Sequence, residues 1–216
     1  MRQASAEEKR LIPTAAAHER PLHRRLRVEA VTPDDPTRRE IESYVRAAFA
    51  RKHAADVQTF MPSLLSFRDA RDVLYGVVGL RAARPAPLFL ERYLDVPVEL
   101  ALAQATGTEV RRDQIVEVGN LAGRSCRAAM RMVAQLPSYL MAHDYRWIVF
   151  TATSTVREIL QGFGAPLVEL ARAERSRVAG GVDDWGTYYD TDPRVFAGYL
   201  PDSRRIAGFA SHDLDG

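Results

Sequence analysis

The feature that most constrains this chain is a regular strand, helix, strand succession at its centre. Gln114 to Val118 reads as a strand, Ser125 to Ala142 as a helix, and Arg146 to Thr151 as a second strand. Ala129, Met132, Val133, Leu136 and Leu140 recur at helical spacing and supply the helix with a buried stripe. A helix that joins two strands of one sheet makes a βαβ unit, so both faces of the sheet must be covered. Pro137 removes one backbone donor from that helix and predicts a bend or a split there.

The flanks supply the rest of a sheet domain. Thr37 to Glu40 has capping-box spacing, and Ile41, Tyr44, Val45, Ala48 and Phe49 then share one helical face. Leu64 to Arg68 and Val73 to Arg81 read as a hairpin, with Gly76 and Gly79 marking a bulge. Short helices are expected at Leu88 to Leu94 and at Val98 to Ala105. A further helix starts near Thr155, capped by the Thr155 to Glu158 spacing, and stops before Gly162. After it come an apolar run at Leu167 to Leu170, an arginine-rich segment to Arg177 and a Gly180-Gly181 break. Late strands are expected at Trp185 to Tyr189 and Val195 to Tyr199. The expected organisation is a flexible arm over residues 1–23, one α/β (α+β) domain over residues 24–200 and a tail over residues 201–216.

Composition removes several function classes. A net charge of +2 is too balanced for a general nucleic-acid binder, and local arginine clusters carry what basicity matters. Arginine dominates, with Lys9 and Lys52 the only lysines. The single cysteine, Cys126, excludes an intramolecular disulfide framework and a thiolate metal cage. Met1 to Arg20 has no continuous apolar core of the secretory kind, and no apolar run approaches bilayer length. A cytoplasmic protein without a transmembrane segment is expected. The histidines His18, His23, His53, His143 and His212 lack metal-ligand spacing, so no metal is predicted. Nothing specifies an oligomeric state.

Three constellations carry chemistry. Glu117 lies inside the central strand, where its carboxylate either opens into a cleft as a general base or pairs with an arginine on the sheet surface. Gly119 and Asn120 follow at once and allow an irregular backbone whose free N–H groups could hold an acyl oxygen. The connector Ala122 to Arg127 enters the central helix, so it is either an anion seat or an ordinary link. Cys126 at that helix start is a nucleophile only if a base reaches it in space. Trp185 to Tyr189 is dense in aromatics with polar handles, suited to lining a pocket or to finishing a core.

Taken together, Phe60 to Pro62, Pro87 to Asp95, Ile115 to Ala122, Phe150 to Thr153 and Trp185 to Asp190 resemble the bacterial thermostable hemolysin family, over about residues 38–200. That family is similar to the GNAT acyltransferases, nearest to acyl-homoserine-lactone synthases. The resemblance implies a GNAT-like single domain with a mixed twisted sheet splayed between its fourth and fifth strands and helices on both faces. It implies acyl transfer from a thioester to the amine of a small acceptor, such as an amino acid or related metabolite. Under it, Glu117 is the base, Asn120 and nearby peptide groups orient the carbonyl, and Tyr188 or Tyr189 donates a proton to the departing thiolate. Val118, Gly119, Leu121, Ala122, Arg124, Arg127 and Thr151 would meet the donor, and Arg68, Glu91, Arg92 and Trp185 the acceptor. No tightly bound cofactor is implied: acyl-CoA or a phosphopantetheine-linked acyl group enters as co-substrate. Arg127 stands where typical CoA-dependent GNAT enzymes have a glycine, which turns the expected partner towards acyl carrier protein. The rival readings are a membrane-active hemolysin-type protein and a non-catalytic binding module.

Overall fold

The computed structural model describes residues 26–162, 164–178 and 184–203. The expected arm over residues 1–23, the Gly180-Gly181 break and residues 204–216 of the expected tail lie outside the described residues. In chain order the elements are β1 (Arg27–Val31), α1 (Arg38–His53), β2 (Ser63–Arg68), β3 (Leu74–Ala82), α2 (Val98–Thr106), β4 (Ile115–Gly123), α3 (Cys126–Met141), β5 (Trp147–Ala152), α4 (Ser154–Gly162), β6 (Leu167–Arg172) and β7 (Arg194–Tyr199). Short 3-10 turns include Phe89–Tyr93, Tyr188–Thr191 and Leu200–Ser203. The last of these buries Leu200 among Leu136 and Leu140 of α3, so order continues into the start of the expected tail.

All strands join one 7-stranded sheet in the order β1-β2-β3-β4-β5-β7-β6. Only β4 and β5 pair in parallel, as the βαβ reading requires, and every other neighbour is antiparallel. Alternation along the strands divides the core between two faces. Leu64, Val77 and Ala122 pack with Ile41 and Val45 of α1, while Ile115, Val149, Val195 and Ala197 pack with Val98 and Leu102 of α2. On the opposite face, Leu65, Phe67, Val78 and Val116 pack with Met132, Leu136 and Leu140 of α3, and Phe150 and Phe196 pack with Leu160 of α4. The mixed sheet with helices on both faces is the GNAT-like fold that the resemblance implies.

The decisive departure from a regular sheet is the end of the β4–β5 ladder. Pairing runs from Ile115↔Trp147 to Val118↔Phe150 and stops there, although β4 continues to Gly123 and β5 to Ala152. Beyond Val118, β4 stays bonded to β3 through Gly119↔Gly79, Val77↔Ala122 and Gly76↔Gly123. The sheet is therefore splayed on one side of β4 and closed on the other.

Several local expectations are corrected. Thr37 does not cap α1: its hydroxyl donates to Asp35 Oδ1 at 2.6 Å, and no side-chain cap bond forms. The entry to α1 is held instead by the buried Arg38, which donates to the carbonyls of Val31, Met61 and Pro62. Thr155 does not cap α4, because Thr153 Oγ1 already accepts from Val156 N at 3.4 Å. Pro137 does not split α3, which runs unbroken from Cys126 to Met141. Ser125 caps that helix, accepting from Ala128 N at 3.1 Å. The expected strand at Trp185 to Tyr189 is a turn followed by a 3-10 helix. Thr187 docks this segment on α1: its N and Oγ1 both donate to His53 O, at 2.8 and 3.1 Å. Gly186 makes this docking possible, since its φ is +49° and a Cβ there would lie 2.1 Å from His53 O. β1 escapes the sequence reading because it is a 5-residue edge strand in which Val31 alone is buried, so it carries little apolar signal.

Candidate active site

Glu117 sits on the α1/α2 face of β4, in the strand half that is still paired with β5. It is 2% exposed. Its Oε2 accepts from Phe89 N at 2.8 Å and its Oε1 from Leu90 N at 3.0 Å, the first N–H groups of the 3-10 turn Phe89–Tyr93. Those bonds and the nearby charge of Arg81 favour the ionised carboxylate, but burial outweighs them and pushes Glu117 up to about 7. Each carboxylate oxygen keeps a second lone pair for a ligand.

Just past Glu117, β4 bulges. Asn120 and Leu121 stand between the pairs Gly119↔Gly79 and Ala122↔Val77, where β3 has Val78 alone. Asn120, not Gly119, takes the left-handed conformation, with φ +47°. Its Oδ1 accepts from Met61 N at 2.8 Å, which ties the chain ahead of β2 to the bulge. Gly119 is needed for room, because a Cβ there would lie 2.5 Å from Met61 Cε. The bulge turns β4 away from β5, leaving its backbone groups without a ladder partner on that side.

A cavity of about 680 Å³ passes through this opening. On the α1/α2 face it is walled by aromatic residues, Phe49, Phe60, Phe89, Tyr93, Trp185 and Tyr188, around Glu117 and Arg81. On the other face it becomes apolar, between α3 and α4, with Val133, Leu136, Ile148, Phe150, Ile159 and Leu160. One mouth lies at the α3 N-terminus, at Arg124, Ser125 and Cys126. There Arg124 and Arg131 flank the Tyr75 ring, at 5.0 and 5.3 Å from its centroid.

The structure gathers much of the expected site and disperses the remainder. Glu117, Val118, Gly119, Asn120, Leu121, Ala122, Arg124, Thr151, Trp185 and Tyr188 all line the cavity. Tyr189 does not line it; its hydroxyl pairs with that of Tyr93 at 2.6 Å. Arg127 is exposed on the first turn of α3, outside the lining. Arg68 lies at the far end of β2, bonded to Glu40 and Asp72 O. Arg92 packs over the Phe89 ring at 4.9 Å and is exposed. Glu91 is a structural anchor: it pairs with Arg112 at 2.7 Å and accepts from Leu88 N and Val98 N. Burial pushes Glu91 up, yet Arg112 and the two N–H groups prevail and hold it below the usual carboxylate range.

Sequence reasoning missed Arg81, Tyr93 and His53. Tyr93 and His53 are brought in by the turns at 89–93 and 184–188. Arg81 had a usable signal, since alternation in a β3–β4 pair places it beside Glu117. Burial pushes the Tyr93 and Tyr188 hydroxyls up, so both stay protonated, and it pushes His53 down. Among the described residues no group of His, Cys, Asp and Glu could hold a metal ion, and no helix is long and apolar enough to cross a membrane.

Residues 31–204 match the family model described as thermostable hemolysin. The chain belongs to the thermostable hemolysin family. No curated protein matches it. Among solved structures it is similar to the acyl-homoserine-lactone synthase LasI, with a TM-score of 0.55, 10% identity, and coverage of 86% of this chain and 96% of that one. The CoA-dependent acyl-homoserine lactone synthase MesI gives 0.51, 18%, 84% and 95%. FeeM, an N-acyl amino acid synthase from uncultured soil microbes, gives 0.52, 16%, 86% and 98%. This member of the thermostable hemolysin family thus shares the fold of synthases that transfer acyl groups.

Proposed function

We propose that this protein is an N-acyltransferase, moving an acyl group from a phosphopantetheine thioester to the amine of a small acceptor. The observation that carries this reading is the placement of Glu117, a buried carboxyl poised near neutrality, beside the opening between β4 and β5. The acyl chain occupies the apolar wing between α3 and α4, and the pantetheine arm leaves by the mouth at Arg124. Val118, Gly119, Leu121, Ala122 and Thr151 wall the thioester's passage.

Glu117 takes a proton from the attacking amine, directly or through a water. The C–N bond forms, and unpaired peptide groups of the β4 bulge hold the carbonyl oxygen as it gains charge. Asn120 acts by shaping that bulge, since its carbonyl is already committed to Met61. Collapse breaks the C–S bond. The proton lost by the amine balances the one the sulfur gains, so the products are an amide and a free thiol. Burial makes Tyr188 a weak acid, which suits it to donating a hydrogen bond to the sulfur rather than surrendering its proton.

Two carriers of the same pantetheine chemistry fit the mouth. The cluster of Arg124, Arg127 and Arg131 favours the acidic surface of an acyl carrier protein. Free-thiol release from acyl carrier protein thioesters and acyl-CoAs, with product mass determined across an amine panel, tests the reading. Amide formed by wild type and lost in Glu117→Gln supports it. Thiol release unchanged in Glu117→Gln, or no turnover across short to long acyl chains, overturns it.

A further inference from the structure

Glu117 shares its face with an arginine that the chain leaves unanswered. Arg81 is the direct register partner of Glu117 across β3 and β4, and both line the cavity. Antiparallel partners place their Cβ atoms ~5 Å apart on one face. Even so, the pair is not joined: Glu117 spends its oxygens on Phe89 N and Leu90 N, and Arg81 Nε is buried without a hydrogen-bond partner. Arg157 provides a contrast. Its buried Nη1 also lacks a hydrogen bond, but Asp192 lies 3.7 Å away. For Arg81, no ion pair occurs among the described residues. A buried cationic donor without an acceptor is costly, so a fold that keeps one in a cavity wall is suited to an anion arriving from outside.

The lining supports that sign. Arg51, Lys52, Arg81 and Arg124 are its cations, and Glu117 is its one carboxylate among the described residues. Strand order decides which substrate meets Arg81. The thioester enters on the β5 side of β4, where the ladder opens, whereas Arg81 is on β3, across Glu117 from that gap. Arg81 also lies on the aromatic side of the cavity, not in the apolar wing between α3 and α4.

Resting on the acyl-transfer reading, we infer that Arg81 binds the carboxylate of an α-amino acid acceptor whose amine is presented to Glu117. An α-amino acid carries amine and carboxylate on one carbon, which matches a base and a guanidinium on adjacent strands. Its side chain then lies against Phe89, Trp185 and Tyr188, so a large apolar or aromatic amino acid is the class selected.

Phenylalanine, its methyl ester and phenethylamine are the probes, and Arg81→Gln and Arg81→Lys the variants. Wild type should prefer phenylalanine over both analogues by at least about tenfold in kcat/KM, as expected where a buried charged donor loses its partner. Arg81→Gln should lose that preference through KM, costing phenylalanine at least about tenfold more than phenethylamine, whose own loss reflects only the removal of a charge that favours ionised Glu117, and Arg81→Lys should restore part of the preference. Calorimetric binding of the three probes without any thioester is the second readout. If no donor supports turnover, the acyl-transfer reading fails, while Arg81-dependent discrimination in binding still upholds this inference. Equal use or binding of phenylalanine and phenethylamine by wild type overturns it, as does an Arg81→Gln loss equal for both. Should Arg81→Gln fail to fold, the wild-type comparison of the three probes decides alone.

Discussion

The regions around Glu91 and Glu117 each set a carboxylate against backbone N–H groups, the first partly and the second fully buried, and their surroundings drive the two in opposite directions. Glu91 accepts from Leu88 N and Val98 N and adds the Arg112 guanidinium, itself shared with Glu99. Glu117 accepts from Phe89 N and Leu90 N but has no guanidinium within ion-pair distance among the described residues. One is held below the usual carboxylate range and the other rises to about 7. Glu117 is the more deeply buried of the two and has no paired cation, so its two N–H donors do not offset its desolvation, whereas Glu91 is only partly buried and has Arg112 as well. Glu91 ties the 89–93 turn to α2 and to the chain before β4, and that turn then presents Phe89 N and Leu90 N to Glu117. The satisfied carboxylate positions the reactive one.

The largest test of this contrast is Glu117→Gln, which should lower acyl transfer by about 10²–10⁴-fold, the usual range for a general base. A matching loss in Glu91→Gln at full fold would erase the distinction. Glu91→Gln should instead cost stability, about 2–3 kcal/mol after discounting the partial exposure of Arg112, read as a lower denaturation midpoint. In the donor wing, Val133→Trp should shift preference towards shorter acyl chains by about tenfold, because it fills apolar space without touching either carboxylate.

The pH dependence sharpens the comparison further. A base at about 7 makes kcat/KM rise about tenfold per pH unit below neutrality and level off above it. Stability follows the opposite sign. Because the folded value of Glu117 lies above its ordinary 4.5, its favourable contribution is complete below about 4.5 and is lost as pH rises through about 7. Glu91, depressed in the fold, contributes stability above its ordinary value that is lost as pH falls. Denaturation midpoints of wild type against each Gln variant, measured from pH 2 to 8, should show slopes of opposite sign, Glu91's below about 4.5 and Glu117's between about 4.5 and 7.

The architecture was legible where local patterns repeat. The βαβ unit, the β2–β3 hairpin and the apolar stripe of α3 follow from periodicity, because burying one helix stripe or strand face has a fixed spacing. The place of Glu117 inside the central strand was legible for the same reason, whereas Ser125, expected as the first residue of the helix, is its cap. Caps at Thr37 and Thr155 misled, since a hydroxyl has several partners within reach and the nearest oxygen or N–H is chosen in three dimensions. The aromatic run at 185–189 misled because its residues stack on one another, Trp185 with Tyr188 at 5.4 Å and Tyr188 with Tyr189 at 5.4 Å, rather than alternating across a sheet.

By itself the sequence determined a mixed sheet with a carboxylate in its central strand and a flexible backbone step just after it. That β4 parts from β5 there was implied by the family resemblance alone, and only the tertiary structure decided that Glu117 is buried beside Arg81 without pairing to it, and that Arg68, Glu91 and Arg92 stand away from the cavity. The physical reason is that periodicity encodes which face a residue takes, whereas ionisation and access depend on desolvation and on partners far apart in the chain, such as the 28-residue separation between Phe89 and Glu117.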